Sequence, residues 1–227
     1  MDLLEAIECR HSVRHFEDRK IEEEKIKILN DLIDECNKEG HLNIQLILEE
    51  PKAFEHSLFH YGLFTNVKNY IALVGKKDSE LEEKCGYYGE KLVLKAQTLG
   101  LNTCWVGLTY HKNKSAMVIN QGEKLCIIIA LGYGITQGKE RKSKKIYDVV
   151  DEIHNKPEWF INGVTAALKA PTAVNQQKFR FLLKGKTVTV ETKKGPYSQI
   201  DKGIVKYHFE IGAGSEAKYI FRPNYIF

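Results

Sequence analysis

Arg10, His11, Ser12, Val13 and Arg14 put two guanidiniums, an imidazole and a hydroxyl into five residues. Each guanidinium presents a planar fork of donors that suits a phosphate. Ser12 adds a neutral hydrogen bond, and His11 an aromatic face with a ring N–H. The set fits a phosphorylated, planar ligand. Alone, a basic run of this kind is more often a solvated helix end. A second stretch far along the chain, Ala170-Pro171-Thr172-Ala173-Val174-Asn175-Gln176-Gln177, tips the balance toward a binding role.

Composition narrows what such a ligand site could sit in. The 227 residues are 43% hydrophobic, enough for one large core or two small ones, and 28% charged, with few enough Gly and Pro to argue against disorder. A net charge of +4 is mildly basic and too small to imply nucleic acid. Five scattered cysteines without a C-x-x-C pair read as reduced thiols and not as a disulfide frame or zinc site. The first residues carry acid where a signal peptide carries base, and no apolar run approaches the ~18 residues of a membrane span. A cytoplasmic protein that binds neither membrane nor nucleic acid is expected.

The elements that must position the two stretches follow from periodicity. Residues 2–9 read as a first helix delivering Arg10 at its C-terminal end. Residues 22–39 carry one apolar stripe, Ile26, Leu29, Leu32, Ile33 and Cys36, stopped by Gly40. Residues 42–48 and 70–75 read as strands, 51–69 as ambiguous, 80–99 as a long helix ended by Gly100, and 101–107 as a turn into an extended piece. A short helix is expected at 113–121. Residues 124–134 form the strongest strand, too apolar for a sheet edge, followed by a polar, basic linker at 136–145. A helix at 157–170, a hairpin of 179–183 with 187–192, a helix at 200–211 broken by Gly212 and Gly214, and an extended tail complete the chain.

The order repeats. The helix at 26–38 with the strand at 42–48 parallels 160–170 with 179–183, and Gly89–Ala96 parallels Gly203–Glu210. In each copy a glycine follows, at Gly100 and Gly214. This predicts two related halves fused in one chain, 1–145 and a shorter 146–227, a covalent version of a two-fold dimer. Only the first half has Arg-His-Ser-x-Arg, and only the second has Ala-Pro-Thr-Ala-x-Asn.

With these residues in place the chain resembles the FMN-dependent nitroreductase family, in its single-chain pseudo-dimer branch. Arg10–Arg14 resembles the family's Arg-[Arg/His]-Ser-x-[Arg/Lys] element, and Ala170–Gln177 its Ala-Pro-Ser-x-x-Asn-x-Gln element. Gly100–Gly107 and Gly132-Tyr133-Gly134 resemble its Gly-Leu-Gly-x-x-x-x-Gly and Gly-Tyr-Pro. The Ala-Pro-Thr element stands in the second half, Gln177-Lys178-Phe179 replaces Gln-Pro-Trp, and Gly134 replaces a proline. The resemblance implies an α+β fold with one FMN in a cleft between the halves.

By the same resemblance Arg10, Ser12 and Arg14 hold phosphate and ribityl, with His11 lining the pocket. Lys142 and Lys144 stand where the family has Arg-x-Arg on the phosphate; a basic linker is the competing reading. Pro171, Thr172 and Asn175 approach the flavin ring, with the Asn175 amide able both to donate and to accept. Gly107 lets backbone approach the ring near N5, or simply bends a strand. Cys104 reads as a buried small hydrophobe, and Tyr87, Tyr88 and Trp105 as packing groups. His11 and His15 lack the glutamate of a zinc-protease motif, so no metal is expected. The implied activity is NAD(P)H-driven two-electron transfer to a small electron-poor acceptor such as a nitroaromatic or quinone, with no catalytic side chain because the flavin carries the chemistry. The alternative is a flavin-binding protein without turnover, for sensing, storage or electron transfer. A monomer is expected.

Overall fold

The computed structural model describes residues 1–54, 64–110, 115–215, 217 and 219–221. The chain falls into two units whose segments interleave. The first comprises Met1, Cys9–Leu81 and Leu92–Glu140; the second comprises Asp2–Glu8, Glu82–Lys91 and Arg141–Phe227. The expected boundary after residue 145 lies a few residues beyond the change at Glu140, and two short stretches of the expected first half are counted in the second unit. Helix α3 (Leu81–Thr98) is divided between them, Glu82–Lys91 counted in the second unit and Leu92–Thr98 in the first.

The first unit is an antiparallel sheet with helices, an α+β arrangement. Its order is β1 (Gln45–Ile47), β2 (Asn69–Lys76), β4 (Glu123–Gly132) and β3 (Asn102–Val106). The apolar run of β4 is central, as its composition demands. Alternation splits β2: Tyr70, Ala72 and Val74 join Val13, Phe16, Cys104, Val106, Ile128 and Ala130 in one cluster, while Ile71 and Leu73 are buried on the opposite face. Helix α2 (Glu23–Gly40) buries Leu29, Ile33 and Cys36. Its stop falls one residue later than expected, because His41 adopts the left-handed conformation (φ 52) and Gly40 stays helical. The strand expected from residue 42 begins at Gln45, since the Asn37 side chain takes both backbone groups of Ile44 (Ile44 N to Oδ1 2.6 Å, Nδ2 to Ile44 O 3.0 Å).

The helix expected at 113–121 is absent from the described part of that stretch, residues 115–121; residues 111–114 lie outside the described residues. The reason is a side-chain mimic of strand pairing. Gln45 Nε2 donates to the Val118 carbonyl (2.7 Å) and Gln45 Oε1 accepts the Val118 amide (2.8 Å), which holds the segment extended. Of the ambiguous stretch 51–69, residues 51–53 form one 3-10 turn and 55–63 lie outside the described residues.

The second unit pairs β5 (Phe179–Lys184) with β6 (Thr187–Thr192) as the expected hairpin, and β7 (Ile220–Phe221) lies parallel to β6. Helices α1 (Leu3–Cys9), α4 (Glu158–Ala167) and α5 (Ser198–Ala213) complete it with the first half of α3. Phe160, Phe181 and Phe209 are fully buried together, with Phe181 and Phe209 stacked at 5.0 Å. Gly212 does not break α5. A Cβ there would meet Ala166 Cβ at 2.5 Å, so this glycine lets α5 approach α4. The helix ends at Gly214 (φ 79), whose amide donates to Glu210 O. At Gly86 and Gly203 a Cβ would overlap the facing carbonyls of Ile200 and Glu83, so α3 and α5 cross backbone to backbone.

That crossing is lined with paired polar side chains. Buried Glu83 accepts from Lys202 (2.9 Å) and from Lys206, and Tyr87 donates to Glu210. His208 and Glu90 are both wholly buried and bonded at 2.8 Å, with the other ring nitrogen facing Ala166 O at 3.1 Å. These groups fix the rotation of α5. Among the described residues, no helix is long and apolar enough to cross a membrane.

Candidate functional site

Residues 10–14 are not the end of a helix. Helix α1 stops at Cys9, and the chain then runs extended along the free side of β3. Ser12 bridges Thr103 in parallel, and the Val13 amide donates to Thr103 O at 3.0 Å. The Thr65 amide donates to Arg14 O (2.9 Å), and the Phe16 amide to Thr65 O (3.0 Å). Apolar anchors alternate with the polar residues: Val13 and Phe16 are 2% and 1% exposed. Backbone pairing and two apolar anchors thus set the course of the turn.

Those polar side chains converge. Cys104 of β3 hydrogen-bonds the Ser12 side chain and lies in the field of both guanidiniums. Burial pushes its thiol up, while Arg14, Ser12 and Arg10 pull it down. Arg10 is itself buried at 4% exposure, Ser12 and His11 are half-buried, and Arg14 is exposed. Cys104 is therefore a buried neutral thiol that reports two positive charges and a hydroxyl gathered over one strand.

The following loop covers His11. Gly138 has φ 81, and a Cβ there would meet His11 Cβ at 2.7 Å. Buried Asn102 fastens this loop, accepting the Gly134 amide (2.9 Å) and donating to Gln137 Oε1 (2.9 Å). Gly134 is glycine for space: a Cβ would meet Val13 Cγ1 at 2.7 Å and the Thr136 carbonyl at 2.5 Å. Gly107 stands in the bend after β3, half-buried beside Leu108, which is 74% exposed.

In the second unit, Pro171 is buried, and Thr172 leads into a single 3-10 turn at Ala173–Asn175. The Thr172 hydroxyl accepts the Gln177 amide at 3.0 Å. Val174 (φ 45), Asn175 (φ 55) and Gln177 (φ 45) are all left-handed without being glycine. Each such residue costs roughly 1–2 kcal/mol, and a β-branched valine there is a real outlier. Strain of this kind persists only where surroundings enforce it.

Arg141 enforces it on one side. Its guanidinium donates to Leu168 O (2.9 Å), Ala170 O (2.5 Å) and Asn175 Oδ1 (2.5 Å). On the other side Asp201, 4% exposed in the first turn of α5, accepts the Ala173 amide (2.9 Å) and the Gln176 side chain (2.7 Å). Burial raises its carboxyl to about 6 against the pull of those two bonds.

The stretch expected as a linker, 136–145, is therefore bound structure. Lys142 O accepts from Asn175 Nδ2 (2.9 Å) and Gln177 Nε2 (3.0 Å), while the Lys144 ammonium donates to Gln177 O (2.7 Å) and its amide to Gln177 Oε1 (2.9 Å). Polar groups of a strained loop need partners, and this segment supplies them. Asn175 Oδ1 already takes Arg141 and Gln177 Nε2 (2.9 Å), so a bond from this side chain to a ligand falls to its second Nδ2 proton.

Of the ten expected site residues, Arg10, His11, Ser12 and Arg14 share one strand edge, with Gly107 at the end of the neighbouring strand. Lys142, Lys144, Pro171, Thr172 and Asn175 gather around one loop of the second unit. Arg141, Asn102, Gly138 and Asp201 are residues the sequence did not single out. Arg141 hides in a basic run, and Asp201 reads as an ordinary acid at a helix start.

The sequence profile of the family described as "Putative TM nitroreductase" matches residues 2–213. Among solved structures, one described as a putative nitroreductase from Thermotoga maritima MSB8 is 24% identical, covers 92% of this chain and 82% of its own, and has a TM-score of 0.67. A putative nitroreductase in complex with FMN from Desulfovibrio desulfuricans is 16% identical over 69% of this chain and 98% of its own (TM-score 0.52). A putative NADH dehydrogenase/NAD(P)H nitroreductase from Parabacteroides distasonis is 18% identical over 68% and 98% (TM-score 0.52). These likenesses establish the fold. No curated protein matches the chain.

Proposed function

The chain belongs to the TM nitroreductase family, and from that premise we propose that it is an FMN-dependent NAD(P)H oxidoreductase that passes two electrons to an electron-poor acceptor such as a nitroaromatic or quinone. The observation that carries the reading is the convergence of Arg10, Ser12 and Arg14 over Cys104. Two guanidiniums and a hydroxyl fit a phosphate monoester, which held away from bulk water needs charge-assisted donors. A solved fold relative is described as a complex with FMN.

In this reading Arg10, Ser12 and Arg14 take the phosphate, and His11, kept in place by the Gly138 backbone, flanks it. Gly107 offers backbone to the ring system. Pro171, Thr172 and Asn175 take part in holding the flavin, Asn175 through its remaining amide proton. Lys142 and Lys144 add positive charge while bracing that loop. FMN, when bound, supplies reversible two-electron hydride chemistry. The protein's own residues bind, orient and exclude water; no side chain is proposed to move a proton.

We also read the chain as two divergent copies of one ancestral unit. Gly100 and Gly214, each following a long helix, both have positive φ (75 and 79). A monomer with one FMN is then the expected holoprotein.

Visible absorption of the purified protein with added FMN tests the reading, followed by NAD(P)H oxidation with a quinone acceptor. A protein-bound two-band flavin spectrum at about one FMN per chain, with turnover, supports it. Bound FMN without NAD(P)H oxidation selects a sensing, storage or electron-transfer role. No flavin binding overturns both.

A further inference from the structure

The loop at 172–177 is strained, and strain needs a holder. On the Asp201 side every bond is specific. The carboxylate takes the Ala173 amide on Oδ1 and the Gln176 side-chain amide on Oδ2. Gln176 cannot turn its amide over to suit a different partner, because its Nε2 also donates to Pro196 O at 3.2 Å. A flip would set two carbonyl oxygens face to face. Each oxygen of residue 201 thus faces a donor, which suits the ionised carboxylate best, because a protonated acid must carry its own hydrogen past one of them.

We propose that Asp201 is a positioning residue for flavin binding: in its carboxylate form it holds Ala173 and Gln176, and through them the left-handed Val174 and Asn175, in the conformation that engages FMN. The proposal rests on the FMN reading above. It assigns to Asp201 no contact with the cofactor; its effect passes through the loop backbone.

Burial favours the protonated acid at this position, to about 6, so the carboxylate is kept at a cost to the fold. An arrangement that spends stability on two bonds to one strained loop is what a binding element requires and what a merely structural helix start does not. The charged groups nearby are committed elsewhere. Arg141 is bound to Asn175 and to the carbonyls of Leu168 and Ala170, Lys202 pairs with Glu83, and Lys178 is exposed on the segment leading to β5. The shift of Asp201 comes from burial opposed by its two hydrogen bonds, with no charge among its causes.

The test compares Asp201→Asn with the natural protein in FMN titrations from pH 5 to 8. The phosphate of FMN titrates in the same range, so the quantity read is the ratio of the two dissociation constants, in which that titration cancels. The expected ratio is about tenfold at pH 8 and close to one at pH 5. Gln176→Ala, which removes one donor and leaves α5 untouched, should weaken FMN at pH 8 by a smaller factor. In parallel, the Ala173 amide resonance of the flavin-free protein should titrate with a midpoint near 6 and lie still in Asp201→Asn. A ratio that stays at one across the range, or that is large but independent of pH, overturns the proposal. So does an Ala173 resonance that does not titrate. If neither protein binds FMN while Ala173 still titrates, the fault lies in the FMN reading and the positioning role falls with it.

Discussion

The two polar elements of this chain are held by opposite means. The Arg10–Arg14 segment is a strand-like edge on β3, set by backbone hydrogen bonds to Thr103 and Thr65 and by the buried Val13 and Phe16. The 172–177 loop has three left-handed residues that are not glycine, and side chains hold it: Arg141, Asp201, Gln177 and Thr172. A segment built the first way takes its course mainly from its backbone pairing and apolar anchors. A loop built the second way responds to the state of its clamps.

The contrast can be broken from either side. Val13→Pro deletes the amide that pairs with Thr103 and should cost about 3 kcal/mol or more, read as a fall in the denaturant midpoint. Asp201→Asn acts oppositely on stability. The Asp201 carboxyl is raised in the folded state, so its contribution is fully present below the unfolded value of 3.8 and is lost as pH rises through about 6. Whatever Asn loses in hydrogen bonds is the same at each pH, so the stability difference should move in the variant's favour by about 2–3 kcal/mol between pH 4 and pH 8, in urea melts at both. A difference that does not change with pH would mean that the carboxylate is buried there without penalty. Asn102→Ala removes two bonds from the loop covering His11 and should cost about 1–3 kcal/mol. Val174→Gly should raise the thermal midpoint slightly, by the equivalent of up to about 1 kcal/mol, because an exposed valine loses its left-handed strain. A destabilised Val174→Gly would show that the valine side chain packs and that its left-handed backbone carries little strain.

How far the sequence reached follows the same division. The apolar run of β4 could be read as a central strand because every residue in it reports burial, and the hairpin of β5 and β6 because the turn between them is local. Helix limits missed where one side chain decided them, as when Asn37 delayed β1 or Gln45 straightened residues 115–120. Gly212 looked like a helix breaker because space against Ala166 is invisible in one dimension. The Arg10–Arg14 and Pro171–Gln177 elements could be found, since their residue types carry their chemistry. Their supports could not. Arg141 lies 34 residues from Asn175, and Asp201 lies 28 from Ala173, with nothing in either residue's neighbours to announce a partner. Long-range polar pairing is specified by the fold and has no local period.

In the proposed function, the guanidiniums gathered over β3 hold the flavin phosphate. Titrating FMN into the natural protein and into Arg10→Ala/Arg14→Ala, with circular dichroism of both, tests it most directly. Loss of FMN affinity by at least about 100-fold with an unchanged spectrum is the expected result, because backbone pairing keeps the turn in place. Equal FMN affinity in the two folded proteins would contradict it.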